Sequence, residues 1–318
     1  MEYQSWHDLP YLHIFVCDFE FYGNDADLKT PVCLVIHELR SGKSYRYWQD
    51  QLVTMSKAPF DTGPNSLWVA YYSSAEWSIF QQLGWKTPER IFDCFTEFSC
   101  ETNGQELHFG RSLVGALEYF GLNTLGSEEK SKMRDLILTG GPWDSDQKRA
   151  ILDYCESDVA YTARLFPLIV NKWITDGMRL GQALLRGRYM VAVAWMERNG
   201  TPIDVDLLQA FQDNWERIKL GLIDEVDKEY SVYENGSFKT ARFETYLSYH
   251  NIPWPRLPSG SLQLDRETFK AQQLAYPQLK PLYDLRITLD ELKLNKLAVG
   301  QDGRNRAIEL CVDLATNF

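Results

Sequence analysis

Two carboxylates close together in the sequence, Asp18 and Glu20, are the first residues whose types suggest chemistry. They end an apolar segment, residues 12–22, that reads as a buried strand. Alternate residues of a strand point to the same face, so the two carboxylates stand side by side, about 6–7 Å apart. Such a pair is costly to bury unless a cation lies between its members. The pattern therefore indicates a cation site, and two surface acids on an edge strand are the alternative.

A second pair, Tyr154 and Asp158, lies in a long segment with apolar residues at helical spacing. Residues four apart lie on the same face of a helix, so the hydroxyl and the carboxylate are neighbours. A hydroxyl in this place orders a water molecule beside the cation that the carboxylate binds. An ordinary tyrosine next to a solvated acid is the alternative for this pair taken by itself.

The combination of the two pairs resembles a known family. A strand ending in Asp-x-Glu, with Tyr-x-x-x-Asp on a helix about 140 residues later, resembles the tyrosine subtype of the DEDD-superfamily 3′→5′ exonucleases. The segment Tyr-Cys-x-x-Asp-Val around the second pair is similar to the third exonuclease motif of proofreading domains. The resemblance covers about 170 residues. It implies that Asp18 and Glu20 belong to the first motif and that Tyr154 and Asp158 belong to the third.

The second motif departs from the family pattern. The family usually has an aspartate after a strand, at the start of the next helix, and here Glu76 has that place. In the favoured interpretation, the longer side chain of Glu76 still reaches a metal ion. Alternatively, Ser73 and Glu76 form a capping box, in which Glu76 bonds back to the Ser73 amide. Asp93 is the rival fourth carboxylate, although an acid at a strand end more commonly fixes a loop by binding its backbone.

Carboxylates without histidine or cysteine select hard cations, which implies Mg²⁺ or Mn²⁺. By the resemblance two ions bind: Asp18, Glu20 and Asp158 hold the first, Tyr154 orients the attacking water, and Asp18 with Glu76 serves the second. The implied reaction removes nucleoside monophosphates from DNA 3′ ends, with single-stranded DNA or primer 3′ ends as partners. An exoribonuclease, and an inert exonuclease-fold domain that is structural or only binds DNA, stay open as alternatives.

The elements that position these residues alternate in type. Strands are predicted at 12–22, 31–39, 44–49, 67–72 and 91–95, and helices at 75–83, 112–120 and 145–173. This order predicts an α/β fold with a ribonuclease-H-like mixed five-stranded sheet and flanking helices. The second region is predicted to be mostly helical, with helices at 179–198, 203–230, 238–249, 265–275 and 278–298. The predicted domains are residues 1–178 and 179–318.

The second region carries a further resemblance. Residues Met196–Asp204 resemble the segment with which family A DNA polymerases enter the thumb, and three later segments resemble the approach to the palm: Pro258–Gly260, Leu279–Leu294 and Gly303–Arg304. The implied second domain is the thumb and pre-palm part of such a polymerase. The chain stops before the palm acids of that family, so no polymerase activity is expected from it alone. A polymerase domain missing from this chain is an expected partner.

Composition limits the classes of protein. Hydrophobic residues make up 44% and charged residues 24%, which argues against disorder and a fibrous chain. No stretch has the apolar length of a membrane span, no signal peptide is visible, and six cysteines lie scattered without a Cys-x-x-Cys pair. We therefore expect a cytoplasmic protein with no membrane partner.

The net charge of −11 is uneven, because residues 1–178 hold 15 basic against 25 acidic residues. An acidic domain is a poor general ligand for nucleic acid, but it suits a carboxylate pocket that divalent cations neutralise. Some basic residues before the Tyr154 helix could meet a phosphate backbone, and a solvated face is an equal alternative for them: Lys130, Lys132, Arg134, Lys148 and Arg149.

Overall fold

The computed structural model describes residues 3–24, 26–122, 127–175, 180–292, 294 and 297–306. The chain forms two compact units, Met1–Pro202 with Ala298–Phe318, and Ile203–Leu297. The predicted domain boundary near residue 178 lies outside the described residues and stays a prediction. Within the described ranges, no helix combines the length and the apolar character that crossing a membrane requires.

A mixed five-stranded sheet forms the centre of the first unit. Its strands are β1 (His13–Tyr22), β2 (Thr30–Glu38), β3 (Lys43–Trp48), β4 (Ser66–Ala70) and β5 (Arg90–Asp93), in the order β3-β2-β1-β4-β5. The first three strands are antiparallel neighbours, whereas β4 runs parallel to β1 and β5 runs parallel to β4. The predicted α/β fold with a mixed five-stranded sheet is therefore confirmed, and its central strand carries Asp18 and Glu20.

Helices flank this sheet. They are α1 (Gln49–Leu52), α2 (Ser74–Gln82), α3 (Cys94–Glu101), α4 (Leu113–Tyr119), α5 (Ser127–Leu138), α6 (Ser145–Thr175) and α7 (Leu180–Asn199). A short 3₁₀ turn at Trp6–Asp8 precedes β1. A two-residue ladder between Thr201–Pro202 and Arg304–Asn305 joins the two chain segments of the unit.

Strand β1 is buried on both faces, and its alternate residues enter separate hydrophobic clusters. Ile14 and Val16 pack in the cluster that contains residues of α6, whereas Phe15, Cys17 and Phe19 pack in the cluster that contains residues of α2 and α7. Since side chains alternate along a strand, Asp18 and Glu20 continue the face of Ile14 and Val16. The two carboxylates therefore lie on the face of the sheet that α6 covers, just beyond the hydrophobic side chains of that face.

Helix α7 closes the second face of the sheet, although the sequence placed it after the domain boundary. It crosses β5 so closely that a Cβ on Gly187 would lie 2.2 Å from the carbonyl oxygen of Ile91. The neighbouring Arg186 donates two hydrogen bonds of 2.7 Å to the buried Glu97 carboxylate on α3. These contacts make α7 part of the first unit.

The second unit is mostly helical, as predicted. Its helices are α8 (Val205–Asp213), α9 (Trp215–Val226), α10 (Thr240–Tyr249), α11 (Arg266–Ala275) and α12 (Lys280–Glu291), with a 3₁₀ turn at Pro277–Leu279 and a hairpin of Tyr233–Glu234 with Ser237–Phe238. Aromatic rings hold its core, where Phe243 and Phe269 stack with ring centroids 5.4 Å apart. This unit has its own core of buried residues.

The structure corrects two of the predicted elements and adds a helix that was not predicted. The helix predicted over 203–230 is interrupted at Asn214, whose side chain bonds to the backbone of Ala210. The strand predicted over 91–95 ends at Asp93, because this carboxylate accepts the Thr96 amide and begins α3. Helix α5 was not predicted, since its apolar residues do not form a clear stripe.

We predict that Gly187→Ala lowers the free energy of unfolding by about 1–3 kcal/mol, because the added Cβ pushes α7 away from β5. Urea unfolding measures the change. Gly181→Ala on the same helix is the control, because its Cβ meets no atom within 4 Å. We expect this control to be neutral or to stabilise by up to about 1 kcal/mol. Equal losses in both variants would contradict the close helix–strand contact.

Candidate active site

Asp18 and Glu20 lie where β1 ends in the sheet, and the structure brings both carboxylates together. One ligand atom of each, with the sulfur of Cys155, lies within 4.8 Å of the others. The pairing of β1 with β2 shifts register between Glu20 and Phe21, which marks a bulge. A bulge ends regular pairing and turns the side chains beside it, as is common next to active sites. The predicted cluster is thus present at this strand end.

Helix α6 supplies Tyr154 and Asp158 to the same site. Cys155 is fully buried between α6 and the sheet. Its neighbours on the helix, Tyr154 among them, therefore flank the end of β1. Asp158 lies one helical turn from Tyr154, and its charge acts on the Tyr154 hydroxyl. Burial and the nearby carboxylates raise the pKa of Tyr154 well above its ordinary value. The hydroxyl therefore stays protonated and acts as a donor.

Cys155 is a residue of the site that the sequence interpretation missed. Its sulfur lies 3.3 Å from the carbonyl oxygen of Asp18 and 3.4 Å from Asp18 Oδ2, and the thiol donates to them. It fixes the position of α6 against β1. Its place directly after Tyr154 was the available signal, but only the three-dimensional packing of α6 on β1 shows which way the sulfur points.

Glu76 is buried in the first turn of α2, with 2% of its surface exposed. The capping-box alternative is wrong, because Ser73 has helical backbone angles and its side chain makes no capping hydrogen bond. Among the described residues, Glu76 Oε2 has no hydrogen-bond partner. A buried carboxylate oxygen without a partner is costly, and a cation is the partner that fits it. Glu76 as a metal ligand stays a prediction.

Asp93 fixes the loop instead, as its strand-end position indicates. Its Oδ2 accepts the Ser73 amide at 2.6 Å and its Oδ1 accepts the Thr96 amide at 2.7 Å. The first bond holds the turn between β4 and α2, where Tyr72 has a φ of 64°. A positive φ is unfavourable for a tyrosine, so the turn needs such support. Asp93 thereby positions the helix that begins beside Glu76.

Burial and mutual repulsion dominate the electrostatics of the site. Burial, followed by the charge of Asp158, raises the pKa of Asp18 to about 8. Burial and then the charge of Asp18 raise the pKa of both Glu20 and Glu76 well above the usual range. Carboxylates packed in this way disfavour one another's ionised forms. The cluster consists mainly of hard oxygen donors, so its residues fit Mg²⁺ or Mn²⁺.

Lys130 of α5 also enters the site. Its Nζ lies 2.7 Å from Asp158 Oδ1, and only 19% of its side chain is exposed. The ammonium lies 5.9 Å from the centre of the Tyr154 ring and 5.8 Å from the centre of the Tyr161 ring. The sequence left two alternatives for Lys130: contact with a phosphate backbone, or a position on a solvated face. The structure contradicts the solvated face. The sequence could not distinguish Lys130 from its basic neighbours, because α5 itself was not predicted.

Comparisons with known proteins support the fold. No family model matches the chain, and no curated protein matches it. A solved structure similar to it is the POL domain of Pol1 from M. smegmatis, in complex with DNA primer-template and dNTP. The TM-score is 0.51 and the sequence identity is 14%, over 94% of this chain and 49% of that chain. This chain therefore shares the fold of about half of a DNA polymerase chain, and its exonuclease subtype stays a prediction.

We predict that the metal-free protein becomes less stable as pH rises from about 4 to 8. The folded protein holds a proton on Asp18 up to about pH 8, whereas an unfolded aspartate releases it near pH 4. The folded state therefore binds more protons in this window, and rising pH favours unfolding. Urea midpoints in EDTA between pH 5 and pH 9 measure the slope. Asp18→Asn should flatten it, and an unchanged slope in this variant would contradict the assignment.

Proposed function

We propose that this protein is a metal-dependent 3′→5′ exonuclease that removes nucleoside monophosphates from DNA 3′ ends. The observation that carries the proposal is the convergence of carboxylates, partly or fully buried, and one tyrosine at the end of the central strand. Asp18 and Glu20 come from β1, and Tyr154 and Asp158 come from α6. Glu76 joins them from α2 through its electrostatic contact with Asp18. This set matches the motifs of the resembled exonucleases, with glutamate in place of one aspartate.

Each residue has a role that its surroundings support. Asp18, Glu20, Glu76 and Asp158 would hold two Mg²⁺ or Mn²⁺ ions, which when bound activate water and stabilise the charge of the leaving oxygen. Tyr154 would donate a hydrogen bond to the oxygen of the attacking water and so orient it, because burial keeps the hydroxyl protonated. The buried walls exclude bulk water, so each fixed charge acts more strongly than it would in solution.

DNA is the favoured substrate because the similar solved structure is a DNA polymerase domain in complex with primer-template. The domain assignment is part of the proposal: residues 1–178 form the exonuclease domain, and residues 179–318 form the thumb and pre-palm part of a family A polymerase. The match over 94% of this chain covers both proposed domains. A polymerase domain outside this chain would then present primer ends to the site.

We predict that the protein digests 5′-labelled single-stranded DNA from its 3′ end in the presence of Mg²⁺ or Mn²⁺. Asp158→Asn should lower the rate more than about 100-fold, because it removes a charged ligand at the reacting phosphate. Asp153→Asn on the same helix is the control, since Asp153 pairs with Arg46 at the surface. Gel analysis of the shortened products measures the rates.

Three outcomes separate the candidate functions. Digestion of DNA in preference to RNA of the same sequence supports the proposal. The opposite preference supports an exoribonuclease. Absence of digestion on both substrates, with no Mn²⁺ bound at millimolar concentration, supports an inert domain.

We also predict that Glu76→Gln lowers the hydrolysis rate at least about tenfold and weakens Mn²⁺ binding, because glutamine lacks the charge that a cation requires. The same change should raise the melting temperature of the metal-free protein, because folding then no longer buries a carboxylate whose pKa this burial raises. Glu76→Asp restores the usual acid of the resembled family and should retain activity. An active and unperturbed Glu76→Gln variant would remove Glu76 from the metal site.

A further inference from the structure

Lys130 is a partly buried cation at the site, and the proposed set of metal ligands leaves it without a role. Its ammonium contacts Asp158 Oδ1 at 2.7 Å, which is an oxygen that a divalent cation would also use. Helix α5 carries it, so it approaches the cluster from an element separate from β1, α2 and α6. The rings of Tyr154 and Tyr161 lie beside the ammonium and limit where it goes. Lys130 therefore stays near the carboxylates even when its partner changes.

The balance of charges in the site indicates which group Lys130 would bind in place of Asp158. The carboxylates of Asp18, Glu20, Glu76 and Asp158 carry four negative charges when ionised, and two divalent cations would neutralise them. A phosphodiester then brings one more negative charge, and attack on the phosphorus adds further charge. The lysine ammonium is the positive group next to Asp158 that remains to offset it. Fixed cations placed where charge develops are an effective means of stabilising a transition state.

We infer that Lys130 is an exchangeable counter-ion: it neutralises Asp158 in the metal-free protein and binds a non-bridging oxygen of the terminal phosphodiester in the loaded one. The inference rests on the proposed function. In the first state Lys130 competes with a divalent cation for Asp158. In the second state it contacts the substrate and is a catalytic residue. Its flexible four-carbon stem and strongly hydrated point charge suit such an exchange better than a rigid guanidinium would.

The test compares Lys130→Met with Lys132→Met, which removes the same charge from an exposed position on the same helix. The first measurement is Mn²⁺ binding without DNA, by titration calorimetry. We expect Lys130→Met to bind Mn²⁺ several-fold more tightly than the parent protein, because Asp158 has lost its competing cation. The Lys132→Met variant should bind Mn²⁺ as the parent does. Equal or weaker Mn²⁺ binding in Lys130→Met would overturn the competition.

The second measurement is hydrolysis of single-stranded DNA at saturating Mn²⁺. We expect Lys130→Met to lower kcat by about 10- to 1,000-fold, which is the usual effect of removing one group that stabilises the transition state. Lys130→Arg should recover part of this loss, because it keeps the charge. A kcat within twofold of the parent for Lys130→Met would overturn the contact with substrate. Lys130→Gln gives the same comparisons if the methionine variant does not fold.

The parent protein separates the two proposals. If it digests neither DNA nor RNA, the proposed function fails, and the role of Lys130 fails with it. If the parent digests DNA and the Lys130 variants do so equally well, the proposed function stands and only this inference is wrong.

Discussion

The packing of this structure must offset the repulsion among partly buried carboxylates at the end of its central strand. Asp18 has a raised pKa because water is excluded and because Asp158 lies nearby. A charge cluster of this kind is unfavourable for folding, so it persists only where the surrounding packing overrides it. The sheet provides that packing, since β1 is covered on both faces by hydrophobic side chains. The free energy that offsets this repulsion comes from the hydrophobic packing on the two faces of β1.

Each layer contributes to the position of a different group. The buried Cys155 sets α6 against the carbonyl oxygen of Asp18, so the helix that carries Tyr154 cannot slide along the strand without breaking this contact. On the other side, Asp93 holds the turn before α2 and thereby the origin of the helix that carries Glu76. Residues outside the set of proposed ligands thus determine where the acidic oxygens lie. Such supporting contacts are what holds a site within a fraction of an ångström.

The sequence predicts those parts of the molecule that depend on local periodicity. The sheet and the long α6 follow from apolar spacing. The pairs Asp18–Glu20 and Tyr154–Asp158 follow from their spacing of two on a strand and four on a helix, and the resemblance to a known family implied that they share one site. Glu76 was ambiguous, because a capping box and a ligand require the same residue types at the same spacing, and only backbone angles distinguish them. Lys130 could not be distinguished from its basic neighbours in the sequence, because its position depends on a helix with weak apolar patterning. The placement of α7 depends on long-range packing at Gly187, which no local pattern contains.

The ladder between Thr201–Pro202 and Arg304–Asn305 has a topological consequence. The chain leaves the first unit at one strand of this ladder and returns at the other, so the second unit is an insertion whose two ends are neighbours. The entropy of closing such an excursion grows only logarithmically with its length. The segment between the two strands can consequently change in length at small entropic cost while the sheet and its acidic cluster keep their register. The positions of the acidic side chains in the first unit therefore do not depend on the length of the inserted segment.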